Sequence, residues 1–323
     1  MADKDIILKV DHLKKTFKIK SSKLFEKPAY LNAVNDVSFE VRCGETIGVI
    51  GESGCGKSTL GKSLLRLIEP TSGDVIYNGK SLMGLGKKEM DQLRREINII
   101  FQDPYSSLDP RMTTGDLIEE PMKIHNIGTP EERKKRVQEL LKMVGLDYYH
   151  AIRYPHEFSG GQRQRINIAR ALAMDVKLLV CDEPVSALDV SVQAQVLNLL
   201  KQLKDSLGLT YIFISHDLSV VKYISDRIII MYLGRVMEIG NAEEVYANPI
   251  HPYTKALFSA IPPVSPFEEK EAIELKGEIP SPLNMPFGCP FCNRCPYCKE
   301  ECRKAVPELK RIGEDHQVAC ILA

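Results

Sequence analysis

The stretch Gly51-Glu52-Ser53-Gly54-Cys55-Gly56-Lys57-Ser58-Thr59 constrains this chain more than any other feature. It fits the pattern G-x-x-x-x-G-K-[ST]. Before it lies Thr46–Ile50, a short β-branched apolar run that reads as a strand. After it, Lys57 to Leu67 reads as a helix that stops before Pro70. A strand that enters a glycine-rich turn and leaves as a helix belongs to an α/β layered fold. The glycines let backbone N–H groups curl around an anion, and the helix N-terminus adds favourable partial charge. Gly51, Ser53, Gly54, Cys55, Gly56, Lys57, Ser58 and Thr59 are therefore candidate contacts to a nucleotide's phosphates. Within them Lys57 suits the β- and γ-phosphates and Ser58 suits Mg²⁺. Cys55 reads as a small spacer rather than a nucleophile.

The α/β alternation continues around this loop. Further strands are expected at Ile6–Val10, Val37–Val41, Ile97–Phe101, Leu178–Cys181, Tyr211–Ile214 and Arg227–Met231. Helices are expected at Asp91–Glu96, Glu131–Val144, Arg163–Ala173 and Ser191–Leu207, and Thr71-Ser72-Gly73 reads as a turn. Residues 103–175 contain no strand pattern and read as a helical subdomain inserted into the core. Between Lys18 and Asn32 a polar, lysine-rich insertion reads as a solvated hairpin extension. From Pro249 to Pro307 prolines are too dense for long helices or strands. A boundary is therefore expected near residue 250, with the α/β domain that carries the phosphate loop over 1–250 and a small irregular domain over 251–323. Lys+Arg and Asp+Glu both number 43, which argues against a chain whose main partner is a nucleic-acid backbone. The longest clear apolar run, Ile228 to Leu233, is far short of a membrane span, and the first ten residues lack a signal-peptide pattern. A cytosolic chain that does not itself cross a bilayer is expected.

A second motif completes the nucleotide chemistry. Lys177-Leu178-Leu179-Val180-Cys181-Asp182-Glu183-Pro184 reads as a buried strand ending in two carboxylates. Ligands of open α/β sheets bind at such C-terminal strand ends. Asp182 suits the Mg²⁺ shell, and Glu183 suits the polarisation of an attacking water. A third, Phe158-Ser159-Gly160-Gly161-Gln162, precedes a helical run. Ser159 can cap that helix, and the glycines leave amide donors open to a phosphate. Ser-Gly-Gly-Gln at this place between the other two motifs resembles the ATP-binding subunits of ABC transporters. The resemblance extends over essentially the whole chain.

The resemblance implies further roles at matching positions. Phe17 stands where the family places an aromatic against adenine. Gln102 corresponds to the glutamine that senses the γ-phosphate and contacts Mg²⁺. Ser186-Ala187-Leu188-Asp189 corresponds to the loop that crosses a dimer interface, with Asp189 near the nucleotide, and His216 to the switch histidine at the γ-phosphate. Phe158 departs from the leucine of many relatives at an apolar packing position. The implied machine is a dimer in which each ATP lies between the phosphate loop of one subunit and the Ser-Gly-Gly-Gln helix of the other.

Several phrases resemble one branch, the dipeptide and oligopeptide importer ATPases with their nickel-uptake relatives. They are Gly51 to Thr59, Phe101 to Arg111, Val185 to Gln195, and Pro249-Ile250-His251-Pro252-Tyr253-Thr254, the last read as a connector with Tyr253 packed on the core. The branch implies an ATP-hydrolysing motor peripheral to the cytoplasmic face of the membrane. Its implied partners are a sister ATPase or a second copy, two transmembrane permeases facing the segment after Gln102, and, indirectly, an extracytoplasmic substrate-binding protein. A soluble ABC ATPase without a membrane partner, a nickel or other importer, and an iron–sulfur redox protein with a regulatory ATP site remain as alternatives.

The cysteines are unevenly placed. Of nine, six fall between Cys289 and Cys320, and in a reducing compartment such crowding suggests metal. The resemblance implies a [4Fe–4S] cluster on Cys289, Cys295, Cys302 and Cys320, in a role that is structural rather than electron-transferring. Spacing alone also allows Cys292, Cys295, Cys298 and Cys302, a C-x₂-C-x₂-C-x₃-C run, and zinc in a Cys₄ site is the second metal considered. A P-loop ABC fold with an inserted helical subdomain and a small metal-stapled C-terminal domain is thus the full expectation.

Overall fold

The structure is a computed structural model that describes residues 5–19, 28–261, 273–275, 277, 278, 280, 281, 283 and 285–323. The centre of the lysine-rich insertion, the first four residues, and Pro262, Pro263, Pro266 and Pro282 lie outside the described residues. The chain divides into two compact units, Met1–Gly84 with Ile214–Ala323, and Leu85–Phe213.

The first unit opens with β1 (Ile6–Ile19) and β2 (Ala29–Arg42), an antiparallel hairpin paired from Ile6↔Arg42 to Ile19↔Ala29. Both strands outrun the expected Ile6–Val10 and Val37–Val41. Their outer arms alternate less clearly between apolar and polar residues, and cross-strand pairing rather than burial carries them. Next come β3 (Thr46–Ile50), buried at every residue, and α1 (Lys57–Leu64). After them lie β4 (Ser72–Tyr77) and β5 (Lys80–Ser81), which complete a sheet of order β2-β1-β4-β5. The expected turn at Thr71-Ser72-Gly73 is taken over by β4, because Ser72 pairs with Lys14 of β1.

The second unit runs through α2 (Lys87–Leu93), β6 (Ile97–Ile100), α3 (Thr114–Ile124), α4 (Pro130–Met143), α5 (Gly160–Ala171), β7 (Leu178–Asp182), α6 (Val190–Leu207) and β8 (Thr210–Ile214). β6 and β7 pair in parallel, Ile97↔Leu178 through Ile100↔Cys181. α2 starts earlier than the expected Asp91, because the Glu89 carboxylate accepts the Gly86 N–H at 2.9 Å and caps the first turn. From residue 103 to 175 the unit carries helices and turns without a strand, and this is the inserted helical subdomain of the ABC ATPase fold. Thr113 caps α3 and Thr129 caps α4, each hydroxyl accepting a backbone N–H three residues on.

The chain then returns to the first unit with α7 (Leu218–Ile224), β9 (Arg227–Tyr232), β10 (Arg235–Asn241), α8 (Ala242–Ala247) and α9 (Pro252–Ser259), and ends with β11 (Lys310–Arg311) and β12 (Gln317–Val318). β9 pairs in parallel with β3, and antiparallel with β10. β12 adds to β10 through Glu238↔Val318 and Ile239↔Gln317, so the tail is hydrogen-bonded into the sheet that carries the phosphate loop.

The expected metal-stapled C-terminal domain is corrected here. Among the described residues, no group of three or more His, Cys, Asp or Glu side chains is disposed to hold a metal ion. This removes Cys289, Cys295, Cys302 and Cys320 as [4Fe–4S] ligands, the Cys292–Cys302 run, and the zinc Cys₄ alternative. Cys289 is buried, and burial pushes its thiol up to about 12. Other sulfurs are engaged locally. Cys292 donates to the Asn293 side chain, while Cys302 accepts from the Lys299 N–H and Cys320 from the Leu322 N–H.

The tail packs instead on β9 and β10 of the first unit. Phe291 is fully buried, with its ring edge-on to Tyr232 at 5.4 Å and within 5.3 Å of Tyr253 and 5.9 Å of His251. The fully buried Glu238 carboxylate accepts the N–H groups of Ile250 and His251 and lies 2.8 Å from His316 Nε2.

Candidate nucleotide site

In the first unit the loop hangs between β3 and α1. Gly56 caps α1 with φ of 105°, which a side chain would strain, and a Cβ there would run into the Ala33 carbonyl oxygen. Lys57 is buried, and its ammonium donates to the carbonyls of Gly51 at 2.7 Å and Glu52 at 3.1 Å, closing the loop on itself. The Gly234 N–H donates to the Cys55 carbonyl at 2.8 Å. Burial raises the Cys55 thiol. Ser58 and Thr59 occupy the first turn of α1, and Ser53 and Gly54 the turn before it. A buried ammonium set among glycines at a helix N-terminus suits a polyphosphate, so the residues present fit the group that the sequence implies.

Two other expected residues belong to this unit. Phe17 lies near the outer end of β1, half-buried, with the Lys15 ammonium 4.9 Å from its ring centroid. His216 is exposed just beyond β8, and its neighbour Ser215 donates its N–H to the Val49 carbonyl of β3 at 3.2 Å.

In the second unit β7 delivers Asp182, which is buried, to its C-terminal end. Glu183 follows with φ of 48°, a left-handed conformation unusual for a side-chain-bearing residue and of the kind stored at functional sites. The turn beyond it is held by Ser186, whose hydroxyl donates to the Glu183 carbonyl at 3.0 Å. Gln102, just past β6, donates its side-chain N–H to the Glu183 carboxylate at 2.9 Å. The parallel pairing of β6 and β7 thus brings the expected glutamine and the expected base into contact.

Ser159 caps α5 through a reciprocal pair. Its hydroxyl accepts the Gln162 N–H at 3.3 Å, and the Gln162 side-chain oxygen accepts the Ser159 N–H at 3.0 Å. Gly160 opens the helix. Gly161 also has a packing reason to be glycine, because a Cβ there would meet the Val192 side chain of α6. Asp189 caps α6, accepting the Val192 N–H at 3.0 Å and the Ser191 hydroxyl at 2.7 Å, and the Ser191 hydrogen bond holds its carboxyl below the usual range.

Residues that sequence reasoning missed lie on the phosphate loop's outer side. The Tyr253 hydroxyl accepts the Glu52 N–H at 3.1 Å, and Arg294 grips the Glu52 carboxylate with two N–H donors at 2.8 and 3.0 Å. Tyr253 carried a packing signal only. For Arg294 no sequence signal existed.

A loop of this kind between a buried strand and a helix defines the P-loop nucleoside triphosphatases, and this chain is one. Residues 34–186 match the family model for the ABC transporter, and residues 237–302 match that for the oligopeptide/dipeptide transporter, C-terminal region. The oligopeptide transport ATP-binding protein AppF of Bacillus subtilis is 49% identical, with 99% of this chain and 98% of AppF aligned. OppF of Haemophilus influenzae, also an oligopeptide transport ATP-binding protein, is 51% identical over the same shares. Among solved structures, the dimeric post-hydrolysis state of the ATP-binding cassette MJ0796 bound to ADP and Pi matches with a TM-score of 0.64 and 32% identity. That match covers 73% of this chain and 98% of the cassette. The chain belongs to the family of oligopeptide-transport ATP-binding subunits of ABC transporters, and it is an ATP-hydrolysing enzyme.

Proposed function

We propose that this chain is the ATP-hydrolysing motor of an importer for oligopeptides, docked on the cytoplasmic face of the membrane through two permease subunits and paired with a sister ATPase or a second copy. The observation that carries this is the near full-length alignment with AppF, an oligopeptide transport ATP-binding protein. Peptide would be delivered by an extracytoplasmic binding protein and would not touch this chain. No helix among the described residues is long and apolar enough to cross a membrane, which accords with separate permeases. Exposed Phe101, Tyr105, Tyr148, Tyr149 and Ile152 supply the apolar surface that docking uses.

Roles for the site residues follow from their chemistry. Lys57 and the loop from Gly51 to Thr59 bind the phosphates, and Phe17 faces the adenine. Ser58, Gln102 and Asp182 would hold Mg²⁺, which neutralises phosphate charge when bound. Glu183 takes a proton from the attacking water, and the Gln102 N–H orients its carboxylate. His216 reads the γ-phosphate. The capped Ser159-Gly160-Gly161-Gln162 turn and Asp189 serve the partner subunit's nucleotide, so that ATP closes the dimer and hydrolysis releases it. Deleting the gene should abolish uptake of a labelled oligopeptide, and the tagged chain should copurify with two membrane proteins. Unchanged uptake in the deletion strain would sink the proposal.

A further inference from the structure

The N–H and carboxylate of Glu52 are tied down by residues far away in sequence. Its N–H goes to the Tyr253 hydroxyl, its carbonyl accepts from Lys57, and its carboxylate takes the bidentate grip of Arg294. The pair is sheltered, with the Arg294 side chain 8% and the Glu52 side chain 23% exposed. Arg294 is itself seated. Its guanidinium lies 5.8 Å from the Tyr232 ring centroid and also donates to the Tyr232 hydroxyl at 3.4 Å. Tyr232 packs on Tyr253 at 4.8 Å and on Phe291, three residues before Arg294. The peptide plane before Glu52 is therefore set by Tyr253 from outside the loop, and the one after it by Lys57 within the loop. A carboxylate inside a polyphosphate-binding loop also repels the ligand unless a cation neutralises it.

We propose that Arg294 and Tyr253 are positioning residues for ATP, through which the C-terminal segment holds the phosphate loop in its binding geometry and masks the negative charge of Glu52. This rests on the reading of that loop as the nucleotide site. The hydrogen bonds to Glu52 also hold the Arg294 guanidinium firmly in its charged form.

The test is the affinity of the full chain for a methylanthraniloyl-labelled ATP with Mg²⁺. Arg294→Ala should weaken binding about tenfold, the low end of what a charge-assisted bidentate pair is worth. Arg294→Lys should fall between, because an ammonium is a point charge without the parallel fork. Tyr253→Phe keeps the packing, loses the acceptor and should weaken binding roughly threefold to tenfold. Glu52→Gln placed in the Arg294→Ala background should recover most of the loss, an outcome that a merely structural role for Arg294 does not produce. Unchanged affinity in both Arg294→Ala and Tyr253→Phe would overturn the proposal, as would an Arg294→Ala loss that Glu52→Gln fails to relieve. If Arg294→Ala does not fold, the two conservative variants decide. Lys57→Ala separates the two levels. If it binds labelled ATP like wild type, the nucleotide-site reading fails; if it alone loses binding, only the positioning role fails.

Discussion

The sharpest consequence of a tail held by aromatic packing is Phe291→Ala. Phe291 is fully buried against Tyr232, Tyr253 and His251, with ring centroids 5.3 to 5.9 Å away. Truncating a buried phenylalanine removes its transfer free energy and leaves a cavity, together costing about 3–5 kcal/mol. At 1.4 kcal/mol per decade, the open population of the tail should rise roughly 10²- to 10³-fold or more. Native-state hydrogen exchange reads this directly, because local opening is sampled without unfolding the rest. The reporters are the Cys289 N–H, which donates to the Cys302 carbonyl at 2.7 Å, and the Ala319 N–H, which donates to the Met237 carbonyl at 2.8 Å. Both should exchange faster in the variant, and Phe291→Leu should do much less harm because volume is nearly kept. Prolonged chelation of the wild type should leave both amides protected. Exchange in Phe291→Ala within about threefold of wild type, with chelation alone releasing the tail, would refute the reasoning.

Glu183→Gln should retain ATP binding and lose turnover by roughly 10²–10⁴-fold, as for a lost general base, whereas near-normal phosphate release would remove Glu183 from that role. Lys57→Ala should fail earlier, at nucleotide binding, measured by equilibrium titration. His251 is pushed down to about 3 by burial, below its ordinary value of 6.5. The folded chain therefore binds fewer protons than the unfolded one between those values, so this contribution is intact above about pH 6.5 and is lost as pH falls toward 3. His251→Asn keeps an α9 cap and removes the titration. Urea titrations at pH 7 and pH 5 should show wild type losing about 2 kcal/mol more than the variant, and equal losses would contradict a neutral buried imidazole.

The elements that carry the candidate nucleotide site were largely legible because their requirements are local. β3 at Thr46–Ile50 lies where the apolar run put it, and α6 over Val190–Leu207 and α4 over Pro130–Met143 match their periodic patterns within a residue. β4 and β10 were missed. β4 begins in a turn-like Thr-Ser-Gly and owes its existence to pairing with β1, and β10 owes its own to β9 and β12. The cysteines misled for a related reason. Crowding and the resemblance spoke only of thiols near in sequence, while among the described residues no group of three or more His, Cys, Asp or Glu side chains is disposed to hold a metal ion.

The sequence by itself determined that a strand, a glycine turn and a helix make a phosphate loop, that a second strand ends in Asp182 and Glu183, and that Ser159 caps a helix. Each is a demand of backbone conformation or hydrogen bonding met within a few residues. Only the tertiary structure decided that Gln102 touches Glu183, that Phe291 is buried against Tyr232, Tyr253 and His251, and that Arg294 holds Glu52 across 242 residues of chain. Those contacts are selected by burial and by the partners that burial brings together. No local pattern encodes them, because the same side chains would be ordinary wherever the chain packed differently.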